Sequence, residues 1–342
     1  MRVRHRLLAL LMAVAVVAVG CGGGDEDGQG GDAGSGKEPV KVAVLMPGRQ
    51  NDVSFNQSAA VAIKAVGEQD GAVEYTILDE IPDPTESEPA IRQFATEGYD
   101  LIIGHGIEYV EPINSVAAEF PDVAFMTAAA AAVGFGPTDN INDWSYDFDS
   151  MGFPLGVASA LVSRTGHLGI VGGPELDFVK IMHAAFIRGA QSVNPDVQVG
   201  EVFAGSFDDA QAAAEAAQSL LDDGADVLYC SGDGICQGVA QTAQQAGVIL
   251  VTGFGDLHEA APGVALTATV LTLEGLYQRF VDMIRAGEWG NGTFLSDLAN
   301  GEVSVIPLHE VDAETAIPIA EAQARLDETL AGIRSGDIDI HG

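Results

Sequence analysis

The chain has 342 residues, of which 50 are acidic and 15 are basic, so its formal net charge is −35. Nucleic-acid-binding proteins contact phosphates through clustered basic residues, and this composition argues against such a partner. It also argues against an electrostatic attachment to anionic lipid. The acidic residues are spread along the chain, which is typical of a charge that serves solubility rather than a single binding site.

Residues 1–20 have the pattern of an export signal. Three arginines precede an apolar run from Leu7 to Gly20. This run has 14 residues, whereas a membrane-spanning helix needs roughly 20. Because the run ends directly before Cys21, it resembles the lipobox of bacterial lipoproteins. We therefore expect a signal peptide over residues 1–20 and lipidation of Cys21, with a plain secretory signal as the alternative.

A tether is predicted over residues 21–38. Between Gly22 and Lys37, Ala33 is the only apolar side chain, and most of the other residues are Gly, Asp or Glu. Such a segment cannot bury enough apolar surface to fold. A lipidated cysteine followed by a tether predicts a folded body that is anchored to the extracytoplasmic face of the cell membrane.

Cys230 and Cys236 are the two cysteines of the predicted mature protein, with five residues between them. An extracytoplasmic protein can keep a disulfide that closes such a loop. The histidines are scattered along the chain and none is near this pair. We therefore expect a disulfide in preference to a metal site, and neither a metal nor a cofactor elsewhere.

From Val40 onward, short β-branched runs alternate with Ala-rich helical stretches. In the first half, strands are predicted at residues 41–46, 73–78, 100–104 and 123–127, and helices at 54–69, 85–97 and 110–119. In the second half, strands are predicted at 167–171, 197–203, 225–230 and 248–252, and helices at 175–193, 208–222 and 235–246. Strands that alternate with helices of about 10 to 15 residues indicate a parallel sheet covered on both faces.

The two halves repeat the same order of elements. Their third strands, within residues 98–106 and 224–232, both end in a Gly-containing loop. The repeat predicts an α/β fold with two similar lobes of about 110 residues each, which suits the usual size of a domain.

The connections between the lobes are expected to form a hinge. The first is predicted at residues 142–149, before a helix over 151–164, and others near 267–269 and 304–308, with a helix over 273–285 between these two. Lobe 1 is then predicted to contain residues 39–147 and about 270–304, and lobe 2 residues 148–268 and about 305–342. Several crossings make a hinge, and a hinge lets the cleft between two lobes close on a ligand.

The stretch Asn51-Asp52-Val53-Ser54-Phe55-Asn56-Gln57 follows the first predicted strand. It therefore lies at the carboxyl edge of a parallel sheet, where such sheets bind ligands. Phe55 is predicted to stack on a flat ligand, while Asp52 and Asn56 bind its polar edges. The alternative is that Asp52 or Ser54 caps a helix and Phe55 packs inward, because capping residues of this kind are common.

Several short motifs occur in order over roughly residues 40–289: Asp52-Val53-Ser54-Phe55-Asn56-Gln57, 98–104 with 120–125, 155–156 with 166–173, 186–190, and 206–209. In this order and spacing the chain resembles the basic membrane protein family, the purine-nucleoside-receptor-like solute-binding lipoproteins of ABC transporters. The resemblance implies a two-lobed, type I periplasmic-binding-protein-like fold, each lobe a parallel sheet flanked by helices. It also implies a monomer without enzymatic activity, which holds a nucleobase between aromatic rings and delivers it to an ABC permease.

Carried over by position, Phe55 would be the ring of lobe 1, with Asp52 and Asn56 beside it. The other candidate ligand contacts lie in loops after predicted strands: His105, Phe178, Asp233, Phe254 and Asp256. Packing is the alternative for Phe178, solvation for the two aspartates, and a structural role for His105. Trp144 and Tyr146 either line the floor of the cleft or pack in the hinge.

Two residues that the family associates with the ribose are absent from this chain. An acidic residue often follows the family's first strand, where this chain has Met46-Pro47-Gly48, and a Lys follows the late strand, where residues 267–272 contain no basic residue. A free base or another flat heterocycle such as a flavin therefore stays open beside a purine nucleoside.

Two other classes of function stay open. A ligand-sensing lipoprotein without a transporter would use the same fold and cleft. The sequence contains no serine-nucleophile, zinc-protease or phosphate-loop motif, so an enzyme is not expected, although the abundant carboxylates leave an acid/base pair open.

Overall fold

Two six-stranded sheets organise residues 38–342, the part of the chain that the computed structural model describes. The predicted signal peptide, Cys21 and all but the last residue of the predicted tether lie outside these residues. Among residues 38–342, every helix is too short or too polar to cross a lipid bilayer.

Sheet A contains β1 (Val40–Leu45), β2 (Val73–Leu78), β3 (Leu101–Gly104), β4 (Ala124–Ala128), β5 (Ile141–Tyr146) and β11 (Thr293–Ser296). Its strand order is β11-β5-β4-β3-β1-β2, and all neighbouring strands are parallel. It is flanked by α1 (Phe55–Gln69), α2 (Pro84–Thr96), α3 (Val110–Ala117) and α8 (Glu274–Ala286). We call sheet A and these helices lobe 1.

Sheet B contains β6 (His167–Gly172), β7 (Gln198–Phe203), β8 (Val227–Ser231), β9 (Ile249–Gly253), β10 (Ala265–Leu271) and β12 (Val303–Val305). Its order is β12-β10-β9-β8-β6-β7, with β12 antiparallel to β10 and the other neighbours parallel. Together with α4 (Phe148–Val162), α5 (Asp177–Val193), α6 (Ala210–Asp222), α7 (Ile235–Ala246) and α9 (Ile319–Ser335) it forms lobe 2.

The first five strands of both sheets have the same relative order, with the second strand at the edge and the first strand beside it. The sequence repeat therefore corresponds to a structural repeat. Strands β3, β4, β8 and β9 are buried along their whole length, as expected where helices cover both faces of a parallel sheet. The predicted α/β fold with two parallel-sheet lobes is confirmed.

All three predicted connections overlap strands in the structure. Residues 141–146 are β5, although their polar sequence predicts a connection between the lobes. Burial of these polar residues is compatible with a strand because they have partners: Asp143 Oδ1 accepts from Thr127 Oγ1 at 2.8 Å, and Asn142 Oδ1 accepts from the Gly292 amide at 2.7 Å. Residues 267–269, predicted as a crossing, belong to β10, and the chain leaves lobe 2 after Leu271. The predicted crossing at 304–308 lies too late in the chain, because β12 of sheet B already begins at Val303.

Within residues 38–342 the chain passes between the sheets three times. The passages lie between Tyr146 and His167, between Leu271 and Thr293, and between Ser296 and Val303. Three chain segments that connect the lobes can act as a hinge.

Helices α4 and α5 of lobe 2 pack backbone against backbone. A Cβ atom added at Gly156 would lie 1.9 Å from the carbonyl oxygen of Phe186, and one at Gly189 would lie 2.0 Å from that of Phe153. Glycine at these positions lets the two helices approach more closely than any side chain would permit.

Gly156→Ala is expected to lower the free energy of unfolding by about 1–3 kcal/mol, because the added methyl group forces the backbones of α4 and α5 apart. Urea denaturation followed by circular dichroism measures this change. The control is Gly275→Ala in α8, where an added Cβ meets no heavy atom within 4 Å and Ala is favoured over Gly by about 0.5–1 kcal/mol. Equal stability of the two variants would contradict the close packing of α4 on α5.

Candidate functional site

A pocket lies between the carboxyl ends of the two sheets. The residues that line it follow or end β1, β3, β4 and β5 in lobe 1 and β6, β7, β8 and β9 in lobe 2. In each sheet the strand order reverses direction beside the first strand, between β1 and β3 and between β6 and β8. Open α/β sheets bind ligands at such switch points.

Aromatic rings form a large part of the pocket wall. Seven of its described lining residues are aromatic: Phe55, Trp144, Tyr146, Phe148, Phe178, Phe207 and Phe254. The Phe55 and Trp144 rings are nearly parallel, with centroids 6.4 Å apart and 16° between their planes. Flat rings from both lobes provide stacking surfaces for a planar molecule, since stacking of one base on an aromatic side chain contributes about 1–3 kcal/mol.

Phe254 reaches the pocket from a strained backbone. Its φ angle is 72°, in the left-handed region that side chains with a Cβ rarely adopt. Its ring meets Phe55 edge-on at 5.9 Å and Tyr146 edge-on at 5.4 Å, so it contacts lobe 1 across the cleft. Strain of this kind concentrates at functional sites, and here it aims an aromatic ring at the pocket.

His105 supports the ring of Phe55. The two rings stack with centroids 4.0 Å apart, and the Nε2–H of His105 donates to the carbonyl oxygen of Phe55 at 3.0 Å. Burial lowers the pKa of His105 to about 4, so its ring is neutral. His105 covers one face of Phe55 and is absent from the pocket lining, which favours the structural alternative over direct contact with a ligand.

Asp52 and Asn56 brace the loop that carries Phe55. The Asp52 carboxylate accepts from the backbone amides of Ser54, Asn56 and Gln57 at 2.8, 3.2 and 3.0 Å and from Asn56 Nδ2 at 2.7 Å. Asn56 Oδ1 in turn accepts from the Gly48 amide at 3.2 Å. These bonds favour the helix-cap alternative for Asp52, and neither residue lines the aromatic pocket.

Asp233 connects the two lobes. Ser54 Oγ–H donates to Asp233 Oδ1 at 2.7 Å, and the amide of Phe55 donates to the same oxygen at 3.4 Å. Burial raises the pKa of Asp233 to about 7, and the negative charges of Asp52 and Asp208 act in the same direction. Asp233 also lines the pocket, so one carboxyl group faces both the interlobe contact and the space for a ligand.

The pocket has acidic groups but no basic ones. Besides Asp233 it is lined by Glu108, whose pKa is raised by burial. None of the described lining residues is Lys, Arg or His. Such a pocket suits a neutral or cationic molecule and disfavours a phosphate or another anion, which would need opposite charge to offset its desolvation.

The two remaining predicted contacts differ in position. Phe178 lines the pocket and stacks on Phe148, with centroids 5.5 Å apart and 26° between the planes. Asp256 lies outside the lining, where its carboxylate accepts from the His258 amide at 2.9 Å and contacts His309 Nε2 at 3.1 Å.

The lining residues that the sequence analysis did not predict include two aromatic and two polar ones: Phe148, Phe207, Glu108 and Ser231. Each ends a strand or lies within four residues after its carboxyl end. Position after a strand is therefore the signal that could have identified them, because the carboxyl ends of eight parallel strands meet at the pocket.

A disulfide closes the loop that carries Asp233. Cys230 in β8 and Cys236 in α7 are bonded, with Cα atoms 5.6 Å apart. Between them lie Ser231, Gly232 and Asp233, all of which line the pocket. The bond restricts this loop and therefore the position of the carboxyl group.

Gly255 permits the lobes to touch. A Cβ atom added there would lie 1.5 Å from the carbonyl oxygen of Val53 in the opposite lobe. The loops after β1 and β9 therefore meet backbone to backbone, beside the hydrogen bond between Ser54 and Asp233. The structure shows the cleft closed.

Gly255→Ala is expected to shift the lobes toward an open arrangement, because an added methyl group in a closed contact costs about 1–3 kcal/mol. Small-angle X-ray scattering should show a larger radius of gyration. The matched control is Gly253→Ala, whose added Cβ would have its nearest neighbour at 3.4 Å. An unchanged radius of gyration in Gly255→Ala would contradict closure through this contact.

Closure is expected to weaken as pH rises from about 4 to 7. In the closed cleft Asp233 keeps its proton up to about pH 7, whereas an Asp in an open, hydrated cleft loses it near about pH 3.9. The closed state therefore binds the extra proton, and the ratio of closed to open molecules falls by up to about tenfold per pH unit in this range.

Scattering across this pH range measures the effect. Asp233→Asn keeps the oxygen that accepts from Ser54 but does not titrate, so its closure should be independent of pH. The same pH dependence in Asp233→Asn would assign the proton to another group.

Known proteins resemble this chain in sequence. Residues 39–326 match the family described as ABC transporter substrate-binding protein PnrA-like. The purine-binding protein of Brucella abortus is 28% identical over 313 residues, which cover 90% of this chain and 85% of that protein. The transcriptional activator protein med of Bacillus subtilis is 30% identical over 220 residues, which cover 63% of this chain and 66% of that protein.

A solved structure extends the likeness to the fold. An ABC transporter solute-binding protein of Conexibacter woesei superimposes with a TM-score of 0.74 and 35% sequence identity, and the match covers 88% of this chain and 98% of that one. Sequence and fold thus agree over the whole two-lobed body, and the predicted resemblance to the basic membrane protein family is confirmed. The chain belongs to the PnrA-like family of ABC transporter substrate-binding proteins.

Proposed function

We propose that this protein is an extracytoplasmic receptor of an ABC importer, which binds a purine nucleoside or nucleobase between its lobes and delivers it to the permease. The observation that carries the proposal is the closed pocket with seven aromatic rings contributed by both lobes. A relative that aligns over 90% of this chain is named a purine-binding protein, which supports the same class of ligand.

Phe55 is the proposed principal contact. One of its faces is covered by His105 at 4.0 Å, and the purine is proposed to stack on the other face. Stacking on one ring contributes about 1–3 kcal/mol, while a micromolar dissociation constant corresponds to about 8 kcal/mol. A second ring, for which Phe178 and Phe254 are the candidates, and hydrogen bonds to the polar lining residues would supply the remainder.

The polar lining favours a ligand without phosphate. Glu108 and Asp233 would repel a nucleotide, and no basic lining residue is present to bind it. The hydroxyls of Thr267 and Thr269, in the strand where the family's Lys is missing, donate to the carbonyl oxygens of Ile306 and Met151. Neither threonine lines the pocket, so neither takes the place of the family's Lys there. The affinities for a free base and for a nucleoside therefore need to be compared directly.

Delivery follows from closure without chemistry. The permease would recognise the closed form. A lipid on Cys21 would hold the protein at the extracytoplasmic face of the membrane. The ligand would be released chemically unchanged. Ligand sensing without transport is a second candidate function, because one relative is named a transcriptional activator. Uptake of labelled purine by cells with and without this protein separates transport from sensing.

Phe55→Ala is expected to weaken purine binding by about 5- to 150-fold, which corresponds to the loss of one stacking contact. Isothermal titration calorimetry measures the affinity. Phe94→Ala is the control, because Phe94 packs on Tyr99 outside the pocket and should leave the affinity unchanged.

The ligand for this titration comes from a thermal-shift panel of adenine, adenosine, hypoxanthine, inosine and a flavin. A compound that binds only the folded state raises the melting temperature by mass action. We expect shifts with purines and none with the flavin. Purine affinity that is equal in Phe55→Ala and in the unsubstituted protein, or a panel without any shift from a purine, would contradict the proposed function.

A further inference from the structure

A chain of three hydrogen-bonded side chains runs into the pocket wall of lobe 2. The Glu201 carboxylate in β7 lies 2.5 Å from Nδ1 of His183 in α5. The other ring nitrogen of His183, Nε2, is hydrogen-bonded to Oγ of Ser231 at the end of β8. Ser231 lines the pocket, whereas Glu201 and His183 lie behind it.

The imidazole of His183 is held in a defined orientation. His183 is 1% exposed, and its ring stacks on Phe203 with centroids 5.4 Å apart and 22° between the planes. Gly172 provides the space for it, because a Cβ atom there would lie 2.5 Å from Cε1 of His183. Packing and two hydrogen bonds therefore orient the ring.

The partners of His183 determine where its proton lies. A carboxylate can only accept hydrogen bonds, so Nδ1 carries a proton and donates it to Glu201. Burial lowers the pKa of His183, although Glu201 opposes the shift, and a neutral imidazole has a proton on one nitrogen only. Nε2 then accepts, and the hydroxyl proton of Ser231 points at His183.

In this arrangement the Ser231 hydroxyl can only accept a hydrogen bond from a molecule in the pocket. A hydroxyl group has one proton to donate and two lone pairs to accept with. Since the proton is engaged by His183, a bound molecule that contacts Ser231 Oγ must itself provide the donor. An N–H group fits this requirement, and a carbonyl oxygen at the same place would face another acceptor.

We propose that Glu201 and His183 act as positioning residues that make Ser231 a hydrogen-bond acceptor, and that Ser231 thereby selects amino-substituted purines over their oxo counterparts. This inference rests on the proposed function, because it needs a purine in the pocket. It adds the chemical property by which the site would distinguish one purine from another.

The tautomer of His183 can be tested without any ligand. Nitrogen-15 NMR of the histidine side chains in the full chain should show a protonated Nδ1 and an unprotonated Nε2 for His183, with the resonance assigned by its loss in His183→Gln. A proton on Nε2 would overturn the proposal, since Ser231 would then accept from His183 and could donate to the pocket.

The role of Ser231 is tested with adenine, 2-aminopurine and unsubstituted purine, which differ in the presence and position of one amino group. Ser231→Ala is expected to weaken the binding of at least one of the two amino-substituted compounds by about 2- to 12-fold, which corresponds to the loss of one neutral hydrogen bond. The affinity for unsubstituted purine should change by less than about twofold. Ser219→Ala, on the exposed side of α6, is the matched control. Equal losses for all three compounds, or no loss for any, would overturn the selection.

Glu201→Gln is expected to reverse the direction of the hydrogen bonds in this chain of side chains, with little change in side-chain shape. The amide of Gln can donate to Nδ1, which lets His183 carry its proton on Nε2 and donate to Ser231. The freed hydroxyl proton can then bind a carbonyl oxygen, so the preference for adenine over hypoxanthine should fall. If NMR shows the changed tautomer while the preference for adenine over hypoxanthine is unaltered, Ser231 does not determine which purine binds and the proposal is overturned.

Two further outcomes separate the hypotheses. If His183 has the expected tautomer but no purine binds, the proposed function fails and the hydrogen-bond chain stands. A serine, histidine and carboxylate in this order also activate the nucleophile of hydrolases, so hydrolysis of an activated ester is measured in parallel. Turnover that is lost in Ser231→Ala would overturn a role in binding alone.

Discussion

The hydrogen bond between Ser54 and Asp233 is the contact on which the closed site depends. It joins the loop after β1 to the loop after β8 at 2.7 Å, and it places Phe55, the next residue, over the pocket. Asp233 is half-buried at this contact, and desolvation of its carboxyl group raises its pKa to about 7 because a desolvated carboxylate is unfavourable. Closure therefore couples the position of the principal ring to the protonation of one carboxyl group.

The repeated α/β lobes explain why these groups meet. Both sheets have the same strand order, and their carboxyl ends face a common pocket. Local features then refine the geometry: a disulfide restricts the loop of Asp233, Gly255 allows contact with Val53, and His105 fixes the plane of Phe55. The site is thus built from loop residues held by buried strands, which is how rigid scaffolds usually present binding groups.

Sequence patterns predicted most of the fold and part of the site. The alternation of strands and helices identified the two parallel lobes, but β5 was missed because Asn142 and Asp143 are polar. Their partners, Gly292 and Thr127, are 150 and 16 residues away along the chain, and no local pattern shows such pairing. Among the predicted contacts, Phe55, Phe178, Asp233 and Phe254 line the pocket. Position after a strand places a residue near the site, but the direction of its side chain depends on tertiary partners, as Asp52, His105 and Asp256 show.

The central claim is that a purine binds between the aromatic rings of the two lobes. The most direct test is a crystal structure of the protein grown with the purine that raises its melting temperature most. We expect the base to lie parallel to Phe55, on the face opposite His105, with the cleft closed over it. A base bound outside the space between Phe55 and the rings of lobe 2 would contradict this account.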